Sequence, residues 1–258
     1  MSVPSPAGPV LLDRSAHRRL RLNPARVQDQ SGARHMNAVF CAAAEFAEAC
    51  KAFPLLFIRS SPPDPSDGGQ GVITPVCLLG LQNGQNLFVG DDDGRWLADY
   101  LPAFLRRHPF SLVKAGEDEE ATEAVAVDLR HPALAEDGDG ESLFGADGQP
   151  TPHLQGVMQF LNDFERAAEQ TQPIGAHLQS LGLLKSMRAQ GPLPGGNSFS
   201  VDGFLVVDEV RLRELPDAAV LALHRNGLLA LIHAHLVSLS NLHKLVERRS
   251  AQLASPAA

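Results

Sequence analysis

Apolar positions along this chain fall into short, strand-length runs in the first half and recur at helical spacing in the second. Leu55 to Ile58, Ile73 to Leu81, Phe110 to Lys114 and Ala124 to Asp128 read as strands, and Met36 to Phe40 as a further short one. Asn83-Gly84 separates Ile73–Leu81 from the apolar stretch Asn86–Val89. That dipeptide tolerates positive φ angles, so the pair predicts a β-hairpin. Ala42 to Ala52 is alanine-rich, with Phe46, Cys50 and Phe53 at helical spacing, and Pro54 ends the predicted helix. Trp96 to Arg107 is a second predicted helix, started or kinked by Pro102.

From Thr151 the period becomes helical. Thr151 suits an N-cap and Pro152 the first helical position, with Leu154, Val157, Met158, Leu161 and Phe164 on one face. A new helix is expected from Thr171, with Pro173 in its first turn and Gly182 as its stop. Leu183 to Met187 and Phe199 to Val207 are strand candidates, the latter broken by a turn at Asp202-Gly203. Asp208 and Asp217 are expected to cap two short helices. The last helix is expected from Leu228 to Arg248, with Leu228, Leu231, Ile232, His235, Leu236, Leu239, Leu242 and Val246 on one wide face.

Strands first and helices later predict an α+β fold: a mostly antiparallel sheet in the N-terminal half, covered by a helical C-terminal half. Three regions are expected: an extended arm over 1–34, a single α+β domain over 35–249, and a frayed tail over 250–258. Ser60 to Gly71 is a Pro/Gly/Ser/Asp loop expected to be mobile, and Gly116 to Glu123 an acidic one. Leu143-Phe144 followed by Asp147-Gly148 echoes Leu87-Phe88 followed by Asp93-Gly94. Six residues do not establish a duplication.

At 258 residues and 44% hydrophobic, the chain is long and apolar enough to bury a core. Its net charge of −8 repels a phosphate backbone, so nucleic acid is not expected as a partner. The arm is the basic exception, carrying Arg14, Arg18, Arg19, Arg21, Arg26 and Arg34. It reads as a solvated tether or docking segment, or alternatively as an anion-binding patch. Cys41, Cys50 and Cys77 are an odd set without a CxxC, so neither a disulfide framework nor a zinc knuckle is expected. The apolar stretch from Leu228 is interrupted by His233, His235, Asn241, His243 and Lys244, so no membrane span is predicted. The first residues show no basic stretch ahead of a long apolar one. A secretory signal is therefore not expected, and the cytoplasm is the expected location.

The candidate chemistry is thin. Asp91-Asp92-Asp93-Gly94 departs from EF-hand spacing and reads as a turn. His233 and His235 fall about 200° apart on a helix, so they cannot share an ion, and no metal or cofactor is expected. His235 reads as a core histidine hydrogen-bonded to backbone. No nucleophile motif and no phosphate loop occurs, so whether the chain is an enzyme stays open. Arg106 and Arg107 end a predicted helix, where cations favour the macrodipole. They also match a carboxylate clamp. Trp96 and Tyr100, four apart, would share a helical face. Together with Arg106 and Arg107 they would form a pocket for an anionic ligand, with His235 nearby.

Four strings in order carry a family resemblance. Asn86-Leu87-Phe88 with Asp93-Gly94-Arg95-Trp96 resembles the NLF…DGRW segment of the bacterial SapC family. Tyr100 to Phe110, YLPAFLRRHPF, resembles its YIPAYIRRYPF run, with His108 where the family has Tyr. Gly203 to Leu212 and His233 to Leu242 resemble its C-terminal portions. The likeness spans most of Pro24 to Arg248, with Ser61–Gly71 as an insertion. It implies a soluble accessory or interaction protein with a possible protein partner and a link to the bacterial surface layer or outer membrane. The unrelated peptide-transporter permease of the same short name is excluded by the missing spans. Oligomeric state does not follow from any of these residues.

Overall fold

The computed structural model describes residues 8–59, 71–115 and 122–254. All but Gly71 of the loop expected to be mobile, and most of the acidic loop, lie outside the described residues. Contacts gather the chain into two compact units, each assembled from separate stretches of sequence. The first holds the described parts of Met1–Gly32, Gly90–Trp96 and Phe104–Arg166, and the second those of Ala33–Val89, Leu97–Ala103 and Ala167–Ala258.

In the first unit, β1 (Val10–Leu11) pairs antiparallel with β7 (Thr122–Val127), which pairs with β6 (Phe110–Ala115). A second small sheet sets β2 (Arg21–Leu22) between β8 (Leu134–Ala135) and β9 (Glu141–Ser142). The described part of the expected arm, as far as Gly32, is therefore built into this unit. The reason is alternation: Leu20 and Leu22 are buried between exposed or half-buried arginines, so a strand hides the leucines and leaves the cations outside. Phe110, Val127, Leu143, Phe144, Leu154 and Leu161 join Leu20 and Leu22 in one core.

The second unit is a five-stranded antiparallel sheet. Its order is β10 (Leu184–Pro192), β11 (Ser198–Val207), β4 (Leu55–Arg59), β5 (Ile73–Leu78) and β3 (Ala38–Phe40). Phe57, Ile73 and Val207 from the sheet pack with Ile174, Leu178, Leu223 and Ile232 from the helices. The fold is α+β, with antiparallel sheets mostly in the N-terminal half and a helical C-terminal region.

Several elements differ from expectation for identifiable reasons. The Asn83-Gly84 turn forms, with Gly84 at φ +72°, and Leu87 N–H reaches Leu79 C=O at 2.9 Å. Asn86–Val89 nevertheless makes no ladder with β5. Both edges of β5 are already taken, by β3 and β4, so the returning segment is buried without being a strand. The helix expected over Trp96–Arg107 shrinks to α2 (Ala103–Arg106), because Pro102 disfavours helical backbone at Leu101 before it. The helix over Ala42–Ala52 is likewise a 3-10 turn plus α1 (Phe46–Ala49).

Conversely, the two helices expected after Thr151 are one, α3 (Pro152–Ser180), running through Pro173. Thr171 caps nothing; its hydroxyl donates to Ala167 C=O at 2.6 Å and accepts from Ala43 N–H at 2.9 Å. Burial of Ile174 and Leu178 outweighs the backbone bond that Pro173 cannot make. Gly182 ends the helix as expected, at φ +65°, with Leu183 N–H on Leu178 C=O and Gly182 N–H on Gln179 C=O.

Asp202-Gly203 is not a turn. Met187 pairs with Phe204 and Ala189 with Val201, so Arg188 faces two residues across a bulge, and Gly203 takes φ +78°. Further on come α4 (Glu209–Arg213), capped by the Asp208 side chain as expected, and α5 (Asp217–Arg225), in which Asp217 is the first helical residue and not the cap. The last helix is α6 (Leu228–Ser238), a 3-10 turn at Leu239–Asn241, and α7 (Leu242–Ala254). It continues through the first residues of the segment expected to fray. Among the described residues, no single helix is long and apolar enough to cross a membrane.

Candidate functional site

The residues expected to wall one pocket divide between the two units: Trp96, Arg106 and Arg107 fall in the first, Tyr100 and His235 in the second. With the helix over 96–102 absent, the shared face that paired Trp96 with Tyr100 is absent too. Each of the five has a local role in its own unit.

Trp96 is buried. Arg106 and Arg107 both rest on the first half of α3, but on different rings. The Arg106 guanidinium lies 5.0 Å from the Phe160 ring centre. Arg107 sits 4.5 Å from Phe104 and 5.0 Å from Phe164, with Glu165 at 3.8 Å. Its side chain is 19% exposed, and burial draws its pKa below the usual arginine value, an effect partly offset by Glu165. Two stacked guanidiniums of this kind are packing groups more than a clamp.

In the second unit, the Tyr100 hydroxyl donates to Glu45 Oε1 at 2.7 Å, and Ala103 N–H donates to the same oxygen at 2.7 Å. Glu45 Oε2 accepts from Ala42 N–H at 3.1 Å. The buried carboxylate thus gathers three donors and ties the segment after Leu97 to the α1 turn. Sequence reasoning did not single out Glu45, because its neighbour Glu48 is indistinguishable in a string of alanines.

His235 lies on the buried face of α6 and is fully enclosed. Its Nδ1–H donates to Leu55 C=O at 2.8 Å, and its Nε2 accepts from Val207 N–H at 3.0 Å. That pattern requires the neutral ring. Burial lowers its pKa to about 4, against a weaker upward pull from the Leu55 carbonyl. Ser238 accepts from Leu55 N–H at 2.9 Å, and Asn241 donates to Cys50 and Phe53 C=O. His235, Ser238 and Asn241 therefore form a polar seam along one helix face, satisfying backbone groups of β4, β11 and the turn before β4. Cys41 and Cys77 are buried in the same unit, and the Cys41 thiol is pushed up by the neighbouring Cys77 sulfur and by burial.

The strings that carry the family resemblance have matching local roles. The Asn86 side chain donates to Ala33 C=O and accepts from Phe88 N–H. Phe88 packs edge-on against Phe53 at 4.9 Å and under Arg248 at 4.6 Å. In the acidic turn, Arg95 N–H donates to Asp93 Oδ1 at 2.9 Å, and Gly90 N–H to Arg95 C=O at 2.8 Å. Gly94 takes φ +69°, and a Cβ there would lie 2.5 Å from Asp29 Oδ1, so only glycine fits. The echo at Gly145–Gln149 has the same design: Gln149 N–H on Asp147 Oδ1, Gly145 N–H on Gln149 C=O, and Gly148 at φ +76°. The likeness of the two strings is shared turn chemistry.

Two further concavities stand out. One, of about 450 Å³ in the first unit, is lined by Arg26, Gln28, Asp29, Asp93, Arg95 and Pro132. The other, of about 560 Å³ in the second unit, is mainly apolar and lies between Val72–Ile73 and the Gln172–Ser180 stretch of α3. Among the described residues, no three His, Cys, Asp or Glu side chains gather as a cation site.

A profile described as SapC matches residues 12–245 of the 258. No curated protein and no solved structure matches the chain. The profile match spans both units and all four strings read from the sequence, and on that ground this protein belongs to the SapC family.

Proposed function

We propose that this SapC-family chain is a soluble accessory protein that works by binding a protein partner, with a link to bacterial surface-layer or outer-membrane function, and that it resides in the cytoplasm. The observation that carries the reading is the outer face of α6. That helix is apolar nearly all round, a composition that calls for burial on every side. Ile232, His235 and Ser238 face the core, whereas Ala230, His233 and Val237 stand exposed, Val237 at 66%. Val210 on α4 and Leu221 on α5 are exposed in the same unit. Large apolar side chains held out on ordered helices support a docking face. Tyr100, Arg106, Arg107 and His235, meanwhile, are engaged in packing and internal hydrogen bonds.

The test is affinity capture with wild-type protein and with Val237→Glu, each checked for an unchanged melting temperature. The reading expects a discrete co-purifying protein with wild type that is lost with Val237→Glu. Equal recovery with both proteins, or none with either, would count against it.

A further inference from the structure

We propose that the concavity lined by Arg26, Gln28, Asp29, Asp93, Arg95 and Pro132 binds a small zwitterionic carboxylate of the amino-acid class. It lies wholly within the first unit and is independent of the α6 docking face. Its two cations are unusual among the arginines around it. Arg18 donates to Ala146 C=O, Arg21 donates to Gly140 C=O, and Arg19 pairs with Asp137. Among the described residues, the Arg26 and Arg95 guanidiniums take no such partner. Their backbones, by contrast, are fixed. Arg95 is held by Asp93, by Gly90 and by its bridge to Asp29. Arg26 ends a 3-10 turn capped by Asn23, and its carbonyl accepts from Asp29 N–H at 3.1 Å. Two guanidiniums carried on fixed turns beside one concavity match the two oxygens of a carboxylate.

The acids set the rest of the ligand. One oxygen of Asp29 is held by Ser31 N–H and one of Asp93 by Arg95 N–H, so both carboxylates are fixed at the rim. Two cations beside two anions balance a ligand that carries one charge of each sign, and they disfavour a dianion such as phosphate. A volume of about 450 Å³ admits a molecule of that size.

The test is calorimetric titration of the full chain with glycine, L-serine and L-glutamine, and with acetate and inorganic phosphate as charge controls. At least one amino acid should bind saturably at millimolar concentration, with acetate and phosphate about tenfold weaker or more. Arg26→Gln and Arg95→Gln should each weaken that binding about tenfold or more, while Arg19→Gln leaves it unchanged. Asp93→Asn keeps the turn acceptor but removes the charge, so it should shift preference toward acetate and phosphate. No binding by any of the amino acids, acetate binding as tightly as they do, or full affinity in Arg95→Gln would each overturn the proposal.

Discussion

At the scale of single residues, His235 ties the helical layer of the second unit to its sheet. Its ring must stay neutral to accept from Val207 while donating to Leu55. Folding holds its pKa near 4, against an ordinary value of 6.5, so protons favour the unfolded chain. The stabilisation is complete above pH 6.5 and is lost as the pH falls from there toward 4. The shift corresponds to about 3 kcal/mol. Urea unfolding of wild type and His235→Gln across this window should show the wild type losing about that much more stability on acidification. Parallel pH profiles would contradict the assignment. Arg107 makes a second case. Stacked between Phe104 and Phe164, it uses its planar head, so Arg107→Lys should cost about 1–2 kcal/mol even though the charge is kept. The exposed Arg106→Lys should cost less. The core role of His235 was legible in the sequence because the residue falls on the apolar stripe. Its companion Asn241 was not, because the 3-10 turn at Leu239–Asn241 rotates the buried face, so that Leu245 and not Leu242 is the buried leucine of α7.

At the scale of elements, the legible features were those decided locally. Thr151-Pro152 starts α3, Gly182 stops it, and Asp208 caps α4, because each signal acts within one helical turn. The features not legible depend on neighbours far away in sequence. The Asn83-Gly84 hairpin lacks a second strand because β3 and β4 occupy both edges of β5, which no local pattern reveals. The helix through Pro173 survives because of what its far side buries. Gly175 belongs to the same contact: a Cβ there would lie 2.2 Å from the Ile73 carbonyl oxygen, so α3 rests directly on β5. Gly175→Ala should destabilise by about 1–3 kcal/mol through overpacking, although alanine is the better helix former by roughly 1 kcal/mol. Chemical denaturation measures this directly, and an unchanged or raised midpoint would refute the close contact.

At the scale of the molecule, the α+β class and the family were legible, because composition order and four strings spread along the chain carry them. The partition into two units was not, since each is assembled from stretches that are not contiguous in sequence. For the same reason the sequence could not show that Trp96 and Tyr100, four residues apart, belong to different units. Among the described residues, the large apolar side chain held furthest out is Val237, on α6 of the second unit. The most direct test of a docking role is site-specific photo-crosslinking in the bacterial cell, with a photoreactive residue in place of Val237 and, as control, in place of the exposed polar Glu214. The account predicts one discrete crosslinked protein at position 237 and none at 214. A blank lane at 237, or the same products at both positions, would contradict it.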